Sequence, residues 1–206
     1  YRTDASTMNY TEYSPLGPVV CISPWNLPLY LLTWKIAPAL AAGCTVVAKP
    51  SELTPMTAFR LSQLIHEAGF PKGVVNILHG RGQSIGQTLT SDARIKAISF
   101  TGSTQTGRTI ATIAAPLFKK LALEMGGKNP TIIFKDAEYE KMLTTVLRSS
   151  FSNQGQICLC GSRLYIERSL YEKFKTDSVN RLNSLKVGDP FHSASDLAPV
   201  VSHDHM

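Results

Sequence analysis

Apolar positions follow two rhythms along the chain. Short β-branched runs lie at 18–22, 45–48, 74–78, 97–100 and 121–124, and stretches with helical spacing lie between them at 29–42, 54–68, 83–90 and 105–114. Strands that are apolar throughout belong to a parallel sheet covered on both faces, and the intervening helices supply its crossovers. Right-handed crossovers then give an α/β fold, a Rossmann-like doubly wound parallel sheet. Several boundaries are written in the residues. Thr54 and Pro55 form an N-cap and first-turn pair, and Gly69 closes that helix with Pro71 behind it. Gly80 and Gly82 mark a flexible turn after the third strand.

After Gly126-Gly127 the pattern resets. A strand at 131–134, a helix at 138–152, a turn, a strand at 164–166 and a helix at 170–185 read as the start of a second, catalytic α/β domain. The expected organisation is an arm or edge strand over 1–16 from an oligomerisation region. A nucleotide-binding domain over 17–126 follows, then the incomplete second domain over 127–206.

Composition narrows the function classes. Hydrophobic residues are 43% and charged residues 17%, ordinary for a globular chain. No run approaches the roughly 18 apolar residues of a membrane helix, since Pro28, Thr33, Lys35 and Pro38 interrupt the longest apolar region. The net charge of +6 is scattered, without aromatic interleaving, so no nucleic-acid partner is expected. Four cysteines, at 21, 44, 158 and 160, make no disulfide framework, which points to a reducing, cytoplasmic setting. Neither they nor the five histidines form a metal pattern, so no metal is expected. The chain begins at Tyr1 and ends at Met206 as if cut from a longer protein.

The candidate chemistry centres on Cys158, in the turn Gln154-Gly155-Gln156-Ile157-Cys158-Leu159-Cys160-Gly161. A thiol on a connection between helix and strand is open to substrate, whereas the alternative is a buried small hydrophobe. Cys160 is the rival nucleophile, and in an extended backbone it would face the same side, more deeply. Asn26, between Trp25 and Leu27 and flanked by Pro24 and Pro28, is either an oxyanion donor or a turn residue. Glu124, at a strand end before Met125-Gly126-Gly127, is either a general base or a surface carboxylate. Phe100-Thr101-Gly102-Ser103 follows a strand and opens a helix, which suits a phosphate as well as it suits an ordinary cap. Lys49 and Glu52, around Pro50-Ser51, can bond a ribose or simply pair in solvent. A carboxylate there favours NAD over NADP. Gly80-Arg81-Gly82 to Gly86 is one residue off the dinucleotide fingerprint, a weak match that reads better as a helix-start turn.

Taken together and in this order, these motifs resemble the NAD(P)-dependent aldehyde dehydrogenase superfamily, over essentially the whole chain. The stretch 9–18, Leu27, and Ile157-Cys158-Leu159-Cys160 look most like its 2-aminomuconic semialdehyde dehydrogenase subgroup. The resemblance implies Cys158 as nucleophile, with Asn26 and the Cys158 backbone N–H holding the oxyanion, and Glu124 as the base toward water. It implies cofactor contacts from Ile22, Ser23, Trp25, Lys49, Ser51, Glu52, Gly82, Gly86, Phe100, Thr101, Gly102, Ser103, Met125 and Gly126. Met125 stands where leucine is commoner in the family, a near-isosteric change. The implied partners are an aldehyde, NAD and further copies of the chain, as a homodimer or homotetramer. Two other readings compete: a truncated relative that binds nucleotide without turnover, and a redox module using Cys158 and Cys160.

Overall fold

The computed structural model describes residues 6–206. Contacts divide the chain into two compact units between Glu124 and Met125. Of the expected arm, residues 1–5 lie outside the described residues. Residues 6–16 carry no helix or strand apart from a single bridge at Met8.

The first unit alternates strands and helices: β1 (Pro18–Ile22), α1 (Pro28–Ala41), β2 (Thr45–Lys49), α2 (Met56–Glu67), β3 (Val75–Ile77), α3 (Gln87–Ser91), β4 (Ala97–Gly102), α4 (Thr104–Ala114) and β5 (Lys120–Met125), whose last residue falls past the division. The sheet order is β3-β2-β1-β4-β5, and β1 pairs in parallel with both β2 and β4. The chain therefore moves outward from β1 to β3, then crosses back over β1 to β4. That reversal opens a crevice beyond the carboxyl ends of β1 and β4, where ligands bind in sheets of this kind.

The period-2 geometry of β1 explains the covering of both faces. Val19 and Cys21 point to one side, into a cluster with Leu32, Ile36, Val46 and Ala58. Val20 and Ile22 point to the other, against Ile98, Phe100, Ile110 and Ala114. Burying a side chain such as Leu32 or Ile98 contributes about 1.5–3 kcal/mol.

The glycines that end α1 and α2 do what the sequence requires of them. Gly43 and Gly69 both have φ of +77°, and their N–H groups donate to Leu40 and His66. Cys44 and Phe70, one residue later, donate to Ala39 and Ile65, completing the six-to-one capping pattern. The expected Thr54 cap is not formed. Pro55 occupies the N-cap position without a side-chain bond, and the Thr54 hydroxyl donates instead to the Trp25 carbonyl at 3.3 Å. The helix expected at 83–90 is also different. It begins as a π-type turn over Gly82–Gly86 and continues as α3.

The second unit holds β6 (Asn129–Ile133), α5 (Tyr139–Phe151), β7 (Gly161–Ile166) and α6 (Arg168–Asn183). β6 and β7 form a two-stranded parallel sheet. Ile133, Leu143, Val146 and Phe174 make its core. A polar clasp joins α5 to α6: the Tyr139 hydroxyl donates to Asp177 at 2.6 Å, and Lys173 pairs with the same carboxylate while lying over the Tyr139 ring.

Candidate active site

The carboxyl ends of β1, β2 and β4 carry most of the expected cofactor residues. Ile22 is buried at the end of β1, and the buried Ser23 follows it. The Ser23 hydroxyl has no hydrogen-bond partner among the described residues. A buried hydroxyl that lacks a partner costs free energy, so this atom is poised for a ligand at the sheet's switch point. Trp25 and Asn26 sit half-buried in the bend that leads into α1.

At the end of β2 the pair Lys49–Glu52 is formed. The Lys49 ammonium is 3.1 Å from Glu52 Oε2 and also donates to the Pro50 carbonyl. Lys49 is buried and Glu52 half-exposed, so the pair presents its carboxylate outward. Burial pushes the Glu52 carboxyl up. Its own backbone N–H, Lys49 and the Gly82 backbone outweigh that and hold it below the usual carboxylate range. Glu52 is thus linked to the start of the π-type turn, and the structure brings together Lys49, Glu52 and Gly82. Ser51 is buried, and its hydroxyl accepts from the Leu53 N–H at 3.2 Å. Gly86 is buried at the far end of the same turn.

After β4 the chain enters α4 through Ser103. The Ser103 hydroxyl caps the helix by accepting from the Thr106 N–H at 3.1 Å. The ordinary capping role is therefore real, and the same hydroxyl also shares a hydrogen bond with the Thr106 hydroxyl at 2.9 Å. Phe100 and Thr101 are buried. Gly102 is needed for packing, because a Cβ there would lie 2.5 Å from the Phe100 ring. The Ser23 hydroxyl without a partner, the outward carboxylate of Glu52 and the bare backbone before α4 fit a dinucleotide along the strand ends. Glu124 is exposed near the end of β5. Met125 and Gly126, the remaining cofactor candidates, are exposed in the second unit.

The four thiols separate by access. Cys21, Cys44 and Cys160 are buried, and Cys158 is partly exposed. Burial pushes the Cys21 thiol up to about 11, which makes it inert. The thiol candidate lies between α5 and β7, where a 3-10 turn over Ser152–Gly155 leads to a reverse turn closed by Cys160 N–H donating to the Ile157 carbonyl. The expectation of an extended backbone from Cys158 to Cys160 is therefore corrected. The turn leaves Cys158 accessible, and the Cys160 sulfur faces the Ser152 carbonyl at 3.9 Å.

Some features of this region carry no local signal. Asn129 reaches 29 positions along the chain to bond the Cys158 carbonyl. Lys35 is buried within the apolar face of α1, donates to Ser99 Oγ at 3.2 Å, and is held below the usual lysine range by burial, with Cys21 and Glu124 opposing. A cation at a core-facing helix position was a signal the sequence reading passed over. Tyr30 and Trp34, exposed on the first two turns of α1, lie with ring centroids 5.4 Å apart and planes tilted by 59°. A depression of about 320 Å³ between β6 and α5, lined by Thr131, Ile133 and Met142 among others, holds none of the expected residues. Among the described residues no group of three His, Cys, Asp or Glu side chains is placed to hold a metal ion. No helix among them is long and apolar enough to cross a membrane.

The model of the aldehyde dehydrogenase family matches residues 1–206. The 2-aminomuconic semialdehyde dehydrogenase of Danio rerio is 55% identical over 97% of this chain and 41% of its own length. The Homo sapiens protein of the same name is 50% identical, again over 97% and 41%. Betaine aldehyde dehydrogenase from Staphylococcus aureus, solved in complex with NAD+, superposes with a TM-score of 0.90 at 42% identity, covering 93% of this chain and 38% of that one. The chain thus spans 41% of the length of these two curated relatives.

Proposed function

The chain belongs to the aldehyde dehydrogenase family, and from that premise we propose that it carries the nucleotide-binding and nucleophile-bearing parts of an enzyme that oxidises an aldehyde to a carboxylic acid with NAD. The observation that carries this reading is the accessibility of one thiol. Cys158 is partly exposed on a turn, while the other three cysteines are buried.

Each chemical step then has a residue. The Cys158 thiolate adds to the aldehyde carbon, forming a C–S bond and an oxyanion. The Asn26 side-chain amide and the Cys158 backbone N–H donate to that oxyanion and lower the barrier by electrostatic stabilisation. NAD, when bound, supplies the acceptor for the hydride that leaves the carbon, and Cys158 is left as a thioester. Glu124 takes a proton from water as the water attacks the thioester. The C–S bond breaks, the acid departs and the thiolate is restored. Ser23, Lys49, Glu52, Gly82 and Ser103 hold the dinucleotide along the strand ends, with Ile22, Trp25, Ser51, Gly86, Phe100, Thr101, Gly102, Met125 and Gly126 lining its path.

The semialdehyde names of the relatives at 50–55% identity favour a muconic-type semialdehyde as substrate. The three relatives described above all carry dehydrogenase names, which favours turnover over a nucleotide-binding role alone.

The test is NADH absorbance from the full-length protein with NAD and a panel of saturated aldehydes and unsaturated semialdehydes. We expect turnover, fastest with an unsaturated semialdehyde, and its loss in Cys158→Ala with NAD binding kept. A Cys158→Ala protein that matched its parent would overturn the nucleophile assignment.

A further inference from the structure

The turn that presents Cys158 is held by a side chain to which none of the roles above refers. We propose that Asn129 is a positioning residue for the nucleophile, its amide clamping the peptide segment that carries the Cys158 sulfur and N–H. This rests on the reading of Cys158 as nucleophile.

Asn129 Nδ2 donates to the Cys158 carbonyl at 2.7 Å and to the Cys160 carbonyl at 3.4 Å. A primary amide has two N–H donors, and here both are directed at one turn. Fixing the Cys158 carbonyl fixes the plane of the following peptide, and so the backbone rotation at Cys158 itself. Fixing the Cys160 carbonyl holds the other end of the turn. The side chain is aimed there by an irregularity in the strand pairing. Asn129 lies opposite Gly161 but Pro130 lies opposite Arg163, so Ser162 is skipped. Such a bulge redirects the side chain beside it.

The segment needs a clamp because the backbone before it is strained. Asn153, Gln154 and Gly155 have φ of 51°, 57° and 76°, three left-handed residues in succession. The left-handed conformation is unfavourable for a residue with a Cβ, and it persists where the surroundings fix it. Several contacts fix this segment. Gln156 Oε1 accepts from the Val201 N–H, the Gln156 amide donates to the Asn153 carbonyl, and Ser150 donates to the Gly161 carbonyl. Asn129 adds the bond at the reactive residue. A displacement of about 1 Å at a reacting group lowers rates on the order of 100-fold.

The experiment uses the full-length protein, NAD, and the aldehyde it turns over fastest. Asn129→Asp keeps the shape and removes the donors. Asn129→Gln keeps the donors on a longer stem. We expect Asn129→Asp to slow NADH formation in a single turnover by roughly 10–100-fold, with the Kd for NAD and the melting temperature near the parent's, and Asn129→Gln to recover part of the rate. Should Asn129→Asp fail to fold, the neutral and smaller Asn129→Ser carries the same comparison. Parent-like single-turnover rates in these variants, with Cys158→Ala inactive, overturn the clamp and leave the nucleophile standing. A Cys158→Ala protein that still forms NADH overturns both.

Discussion

At the scale of single residues, the Lys49–Glu52 pair is the proposed determinant of cofactor preference. Glu52 presents a half-exposed carboxylate with Lys49 buried behind it, and in the proposed mode the adenosine ribose of NAD lies against that carboxylate. An extra phosphate on that ribose would be repelled by the carboxylate. Glu52→Gln removes the repulsion and leaves Lys49 without its anionic partner. We expect the ratio of NADP to NAD affinity to rise about tenfold, the factor that ~1.4 kcal/mol corresponds to. Titration of the full-length variant with both dinucleotides checks this, and an unchanged ratio would remove Glu52 from the site. The pH dependence has a fixed sign. The folded carboxyl is held below its ordinary value, near 4.3 when unfolded, so its contribution is fully present above that value. It is lost as pH falls through the lower folded value, and Glu52→Gln flattens that acid limb.

At the scale of elements, the apolar rhythm located β1, β2 and β4 because burial on both faces leaves a continuous signature. β1 matched its expected span, and α1 and α4 shifted by one residue at most at either end. What escaped was set by side chains reaching across the chain. Thr54 abandons its own helix for the Trp25 carbonyl, and Asn129 serves a turn on a distant segment. Cys158, Lys49, Glu52 and Ser103 stand out as candidates in the sequence because each lies at or near the end of a strand or helix, where short motifs and topology coincide. The two capping glycines allow a controlled comparison. Gly43 and Gly69 share φ of +77°, but a Cβ at Gly43 would come within 2.8 Å of the Pro15 ring, while one at Gly69 meets nothing. Gly69→Ala therefore costs the backbone term alone, about 1–2 kcal/mol. Gly43→Ala adds a clash with a ring of limited freedom and costs more. Urea unfolding of the two variants measures the difference, and equal losses would mean that the Pro15 contact yields freely.

At the scale of the molecule, the two units differ in how well each buries itself. The first has a five-stranded sheet between two apolar clusters of eight and seven buried residues. The second has two strands and a cluster of four, and it exposes Ile132, Phe134 and Tyr165. Two-stranded sheets are marginal unless helices cover them, and stability follows the apolar area removed from water. The 206-residue chain is therefore expected to unfold in two steps, the second unit first. Two tryptophans make the steps separable, because Trp25 and Trp34 both lie in the first unit. Far-UV circular dichroism should lose the signal of α5 and α6 at a urea concentration where tryptophan fluorescence still reports an intact first unit. The polar clasp between α5 and α6 gives that first step a pH dependence. Tyr139 and Lys173 hold the Asp177 carboxyl below its usual range, so its contribution is present above the unfolded value and disappears as pH falls through the folded one. The early transition should shift to lower urea on acidification and the late one much less. If both probes moved together at every pH, the two units would be a single cooperative body, and the thiol turn would share the stability of the nucleotide-binding sheet.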